Sequence, residues 1–188
     1  MVYMQLIPYN DPLAPLFIRN SLFSFLPNEI QKLTVLCIGS NRINGDSLGP
    51  FVGTLLQDAF PQHVTVIGSL QNPVDAPHLE KAVAQLDERS GNFLVSVDSI
   101  IGSKEHVHTI AIRQGALRPG SGLGKNLPAV GDASIMGVVL EESDNPFHAL
   151  SYTNLNIVYQ MARSIATGIA LAARQHFGYE AHLPLLSG

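Results

Sequence analysis

The stretch Val35-Leu-Cys-Ile-Gly-Ser-Asn-Arg-Ile-Asn-Gly-Asp-Ser-Leu-Gly-Pro50 decides the fold. Leu33 to Ile38 is an unbroken apolar run of strand length, and Gly39-Ser40-Asn41 ends it in a turn. A helix then opens near Asp46 or Ser47 and runs to Phe60, so strand, loop and helix form the start of a parallel α/β unit. Working outward, Val64 to Gly68 reads as a second strand. Ala76 to Arg89 reads as a helix with Leu79, Val83 and Leu86 on one face, and Phe93 to Val97 as a third strand ending at Asp98. His106 to Ile112 and Ser134 to Leu140 complete about five strands. Thr153 to Phe177 is a long helix, capped by Thr153 or Asn154 and stopped by Gly178. Upstream, residues 1–32 are a proline-spaced lead-in whose segment Pro15 to Phe25 has amphipathic spacing, which reads as a docked arm. The expectation is an α/β chain of three layers, α/β/α, with a mostly parallel sheet and helices on both faces. One domain spans 1–188: lead-in 1–32, core 33–177 and tail 178–188.

At 188 residues the chain is long enough to bury a substantial core, and 46% apolar against 14% charged residues makes it a compact globular protein. A formal charge of -4 argues against a phosphate-binding surface, so nucleic acid is excluded as a first expectation. Cys37, the one cysteine, lies inside an apolar run with no positive charge beside it, and reads as a small packed hydrophobe in a reducing compartment. Pro8, Asp11, Pro12 and Pro15 interrupt the N-terminal segment, and Gln160, Arg163, Arg174 and Gln175 punctuate the last helix. Neither a secretory leader nor a membrane span is expected, and the expected location is cytoplasmic.

In open α/β sheets, ligands collect beyond the carboxyl ends of the strands, where helix N-termini and unpaired loop amides point. Two acids fall at that edge: Asp46, after the first strand, and Asp98, at the end of the third. If those strands are neighbours, the carboxylates face each other. Such a pair can share a proton and activate water as base and acid, or supply two oxygens to a divalent cation. The plainer account is that Asp46 caps a helix and Asp98 fixes its own loop.

Pro119-Gly-Ser-Gly-Leu-Gly-Lys125 fails as a phosphate loop, which needs Gly where Pro119 stands and Ser or Thr where Asn126 stands. The whole segment 115–132 is too long for an ordinary turn and reads as a flap or substrate rim with an anion-binding tendency. His106 and His108 alternate on an expected strand, which a polar sheet edge explains. His-Glu-x-x-His is absent from the sequence.

On these residues a family likeness emerges. The run 35–50 resembles the strand-loop-helix signature of the germination protease of bacterial spores and, more distantly, of the hydrogenase maturation proteases. Leu94-Val-Ser-Val-Asp98-Ser99 resembles the strand carrying those families' other acid. Pro119 to Lys125, with Pro128 to Asp132, resembles their glycine-rich loop. By these stretches and by length the chain is most similar to the sporulation protein YyaC family of spore-forming bacteria, over about Leu33 to Phe177.

The resemblance implies a phosphorylase/hydrolase-like three-layer fold and a peptidase site of two aspartates, falling on Asp46 and Asp98. Asn41, Ser47, Gly120, Ser121, Gly122, Lys125 and Asp132 are then candidates for supporting or substrate-contacting roles, Lys125 toward an anionic group. Where the hydrogenase maturation proteases carry a second acid that helps bind nickel, this chain has Ser47, so no cofactor is expected and a divalent metal at Asp46 and Asp98 is the disfavoured case. The leading expectation is a peptidase of sporulation or germination, located in the forespore or mother cell, with a protein or peptide substrate such as a spore protein, and with homo-oligomer formation open. Its rivals are a non-catalytic binding or assembly protein of the same fold and a metal-dependent hydrolase.

Overall fold

The computed structural model describes residues 4–86, 91–120 and 127–186. Its strands are β1 (Met4–Pro8), β2 (Lys32–Cys37), β3 (Val64–Ile67), β4 (Asn92–Gly102), β5 (Thr109–Gln114) and β6 (Ala133–Glu141), and its helices are α1 (Ala14–Phe25), α2 (Leu48–Leu56), α3 (Ala76–Ala84), α4 (Pro146–Ser151) and α5 (Leu155–Phe177). All six strands join one sheet in the order β1-β5-β6-β4-β2-β3. β3, β2, β4 and β6 run parallel, while β5 is antiparallel to both β6 and β1. This is the three-layer α/β/α arrangement with a mostly parallel sheet.

Strand alternation sorts the sheet into two faces. Leu33, Val35 and Cys37 of β2, Phe93, Val95 and Val97 of β4, and Ala133, Ile135 and Val139 of β6 enter one continuous core with α1, α2 and α5. That core explains the length of α5, whose buried Val158, Met161, Ile165 and Ile169 recur at helical spacing. Asn154 caps α5 by accepting N–H bonds from Asn156 and Ile157, and Gly178 ends it in the left-handed conformation at φ 69°. Cys37 is buried in this core, and desolvation pushes its thiol far above the ordinary value, so it is a packed hydrophobe. The opposite face holds a smaller cluster: Leu36, Ile38, Ala111 and Met136 from the strands, Leu79 from α3, and Leu117 and Val130 from the segment between β5 and β6.

Several elements depart from the sequence expectation. The lead-in supplies an edge strand, β1, paired antiparallel to β5 from Met4↔Arg113 to Pro8↔Thr109, besides α1. Helix α2 ends at Leu56, four residues short of Phe60, because Asp58 and Phe60 take positive φ of 63° and 53°. His106 lies in a short 3-10 turn, Lys104–His106, and His108 has φ 66°, so the pair does not share a strand face; β5 begins at Thr109. The described parts of segment 115–132 pack Leu117, Leu127 and Val130 on the second face and are joined at the base by N–H bonds from Gly115 to Asp132 O (2.7 Å) and between Leu117 and Val130 in both directions (3.1 and 2.9 Å).

Candidate active site

Strands β2 and β4 are parallel neighbours from Lys32↔Asn92 to Cys37↔Val97, and the Ile38 N–H makes the last bond between them, to Val97 O at 2.8 Å. β4 continues to Gly102 on β6 alone. Asp98 is therefore the first residue of β4 beyond the end of β2, and alternation puts its side chain on the second face with Leu94, Ser96 and Ile100. It is 4% exposed, and its Oδ1 accepts the Ser99 N–H at 2.8 Å. Burial is the main force holding its carboxyl well above the usual range; the charge of Asp46 adds to it and the Ser99 N–H opposes it.

Asp46 arrives from the other side of the crevice, in the 3-10 turn Gly45–Ser47 that leads into α2. Its backbone is held from below: the Ser40 N–H donates to Asp46 O (2.9 Å) and the Asp46 N–H donates to Ile43 O (3.0 Å). Gly39 makes this approach possible. It stands at φ 140°, and a Cβ there would lie 2.1 Å from Asp46 O, so any side chain would push the acid out of place. The Ser47 hydroxyl locks the same turn by donating to Ser40 O (3.1 Å) and Ile43 O (2.9 Å). Asp46 is half-buried, and is the more exposed of the two acids.

Two cavities meet at this pair. The larger, about 520 Å³, runs between the sheet and the overlying segment, past Asp46 and Asp98, Ser99 and Met136 to Arg113 and Arg118. The smaller, about 170 Å³, is bounded mostly by apolar residues, among them Ile43, Pro77, Leu127 and Phe147. Both include Asp46, Asp98, Gly120 and Leu150, so the acids sit at the junction. An acid kept protonated beside a more exposed acid is suited to general acid–base work on a molecule lying across both spaces.

Of the supporting residues read from sequence, Gly120 reaches the junction. Asn41 is exposed, its Nδ2 donating to Leu70 O at 2.8 Å, and it lines neither cavity. Ser47 is 5% exposed and engaged with backbone, so it holds the turn. Asp132 lies at the opposite edge of the sheet, before β6, where its Oδ2 accepts the Leu94 N–H at 2.8 Å: it pins the covering segment and is not brought to the acid pair. Ser121, Gly122 and Lys125 fall outside the described residues. Sequence reasoning did not find Arg113 and Arg118. The signal for Arg113 was its alternation with Ala111 on β5, which faces it to the same side as Asp98 through Ala111↔Met136↔Asp98.

The nickel centre that the more distant resemblance brings up needs donors beyond the two aspartates. Among the described residues no group of three or more His, Cys, Asp and Glu is gathered to hold a metal, and the hydroxyl of Ser47, at the position of the maturation proteases' second acid, is turned to backbone carbonyls.

Fold and site together define an α/β/α protein with an aspartate pair at the carboxyl edge of a parallel sheet. The chain belongs to the family described as protein of unknown function (DUF1256), whose pattern matches residues 6–168. It is 34% identical over 183 residues to the uncharacterized protein YyaC of Bacillus subtilis (strain 168), covering 96% of this chain and 89% of that relative. No helix among the described residues is long and apolar enough to cross a membrane.

Proposed function

We propose that this chain is a peptidase that works with an aspartate pair, acting on a protein or peptide substrate in sporulation or spore germination, as the likeness to the germination protease implies. The observation that carries the reading is the buried Asp98, its carboxyl held above the usual range by burial, beside the more exposed Asp46 at the junction of two cavities. Asp46, ionised, takes a proton from water; the water attacks the peptide carbonyl, and Asp98 gives its proton to the carbonyl oxygen or the leaving amine. Proton count closes when Asp98 is re-protonated from the water-derived proton on Asp46. No step passes through a metal, so turnover is expected to survive a chelator. The test is incubation of the protein with spore small acid-soluble proteins and a peptide library across pH, with Asp46→Asn and Asp98→Asn as controls. Cleavage lost in both variants supports the reading, and unchanged turnover in both ends it.

A second reading, a binding or assembly protein, is favoured by one observation. Phe147, Tyr152 and Leu155, 59%, 76% and 44% exposed, lie on α4, just after it and at the start of α5, and Phe147 borders the smaller cavity at the acid pair. Retrieval of a sporulation protein that Phe147→Ser and Tyr152→Ser release, with no cleavage of any substrate, would favour it over the peptidase.

A further inference from the structure

The larger cavity has two unlike ends. At one lie Asp46, Asp98 and Leu150; at the other lie Arg113 and, toward the rim, Arg118. The Arg113 side chain is half-buried, and one of its nitrogens, Nη2, donates to Ala116 O at 2.7 Å. That leaves most of a five-donor guanidinium facing the cavity. The ion pairs found among the described residues all involve histidines, so neither Arg113 nor Arg118 has a carboxylate of this chain as partner there.

The Arg113 end is also where the covering segment is stitched to the sheet. Ser96 Oγ donates to Val130 O (2.9 Å), Ser134 Oγ donates to Gly115 O (2.5 Å), and Arg113 holds Ala116 O. Arg113 therefore lies where backbone bonded to the sheet borders the cavity. Register gives the spacing: Arg113 lies two strands across and two residues along from Asp98, so their Cα atoms are about 12 Å apart. Allowing for both side chains, one or two residues of extended peptide, at about 3.3–3.6 Å each, fill the gap.

We infer that the Arg113 end of the larger cavity is a subsite for a peptide carboxylate, with Arg113 as the residue that sets this specificity. The inference rests on the peptidase reading for the identity of the ligand as a peptide. The terminal carboxylate of a peptide and an acidic side chain near its end offer the same group. A guanidinium with unfilled donors in a partly desolvated space forms a charge-assisted, two-pronged bond to a carboxylate, whereas a carboxamide leaves that charge poorly satisfied.

The experiment uses the full chain and three N-acetylated alanine tetrapeptides: one with a free terminal carboxylate, one with a terminal carboxamide, and one carboxamide with glutamate as the last residue. Affinities are read by calorimetry or amide chemical shifts, and the same samples are checked for cleavage by chromatography. The free acid should bind about 10-fold tighter than the neutral carboxamide, the size expected for one charge-assisted contact. Arg113→Gln should bring that ratio to one, and Arg113→Lys should keep part of it. A loosened covering segment would weaken all three probes alike and leave the ratio unchanged, which separates recognition from a merely structural role. If the glutamate probe matches the free acid, the subsite stands with a side chain as its source; if only the free acid gains, the source is the chain terminus. Equal affinity of acid and carboxamide for the unmodified protein, no saturable binding of the free acid, or a ratio that survives Arg113→Gln overturns the inference. Carboxylate discrimination without cleavage of any substrate keeps the subsite and removes the peptidase; cleavage without discrimination does the reverse.

Discussion

On the face of the sheet covered by α1, α2 and α5, β2 and β4 present Leu33, Val35, Cys37, Phe93, Val95 and Val97, all buried in an apolar core. On the other face the same two strands present Thr34, Ser96 and Asp98 among Leu36, Ile38 and Leu94. Three of the buried polar groups on that second face have a local duty. Thr34 Oγ1 donates to Asn92 Oδ1 (2.9 Å), Ser96 Oγ to Val130 O and Ser134 Oγ to Gly115 O. Asp98 differs: its recorded bond is to the next residue's N–H, and the carboxyl opens on a cavity. A buried acid not consumed in fastening the fold is costly unless it keeps its proton, and that cost marks the second face as the working one.

The contrast can be broken or sharpened by experiment. The largest expected effect is on chemistry. Asp98→Asn removes the proton donor and should lower peptide turnover by about 10²–10⁴-fold, while leaving the urea midpoint unchanged or raised because an ionisable group leaves the interior. A midpoint that collapses would move Asp98 to the fastening class with Ser96.

Next come truncations on adjacent residues of β6. Ile135→Ala, in the closed core, should cost about 2–5 kcal/mol by urea unfolding, and Met136→Ala, beside the cavity, should cost less because its neighbours are already in part absent. Equal costs would erase the difference between faces. Gly39→Ala should cost about 1–3 kcal/mol through its backbone conformation, and should lower turnover beyond that loss because the new Cβ displaces Asp46.

The smallest effect is a pH slope. The Asp98 carboxyl is raised above its ordinary value, so above that value the unfolded chain releases a proton that the folded chain keeps. Its contribution to stability is thus complete below the unfolded value and is lost as pH rises toward the folded one, by at most about 1.4 kcal/mol per pH unit. The slope should be shallower in Asp98→Asn, as pH-dependent urea titrations would record. Turnover should fall only at the upper end of that window, where folded Asp98 gives up its proton.

How much of this was legible follows from what each signal rests on. The apolar runs of β2, β3, β4 and β6, and the helical stripe of α5 with Asn154 and Gly178 at its ends, are local patterns, and they read directly as elements. Adjacency of β2 and β4 was permitted by a doubly wound order but not fixed by it, so the meeting of Asp46 and Asp98 was conditional in the sequence and is fulfilled by the parallel pairing of the two strands. β1 was hidden because Pro8 ends the short run Gln5 to Ile7 and further prolines follow it, so that pairing with β5 is what defines the strand. α4 is six residues long, too short for periodicity to show, with Asn145 as its cap. The expected rim role of Asp132 failed because the covering segment leaves the sheet at the opposite edge. A single chain does not disclose where a long connection travels. Arg113 was missed for the same reason: its place in the cavity depends on what lies over β5.

The pairing of β1 with β5 constrains how this protein can be processed. β1 closes one margin of the sheet, and trimming that reached past Met4 would leave the β5 backbone amides and carbonyls that face away from β6 without a partner strand. Such an edge is a template for strands of other molecules, so shortened forms should self-associate. Maturation by removal of the N-terminal segment is thereby discouraged by the architecture, and affinity handles are better attached at the other terminus.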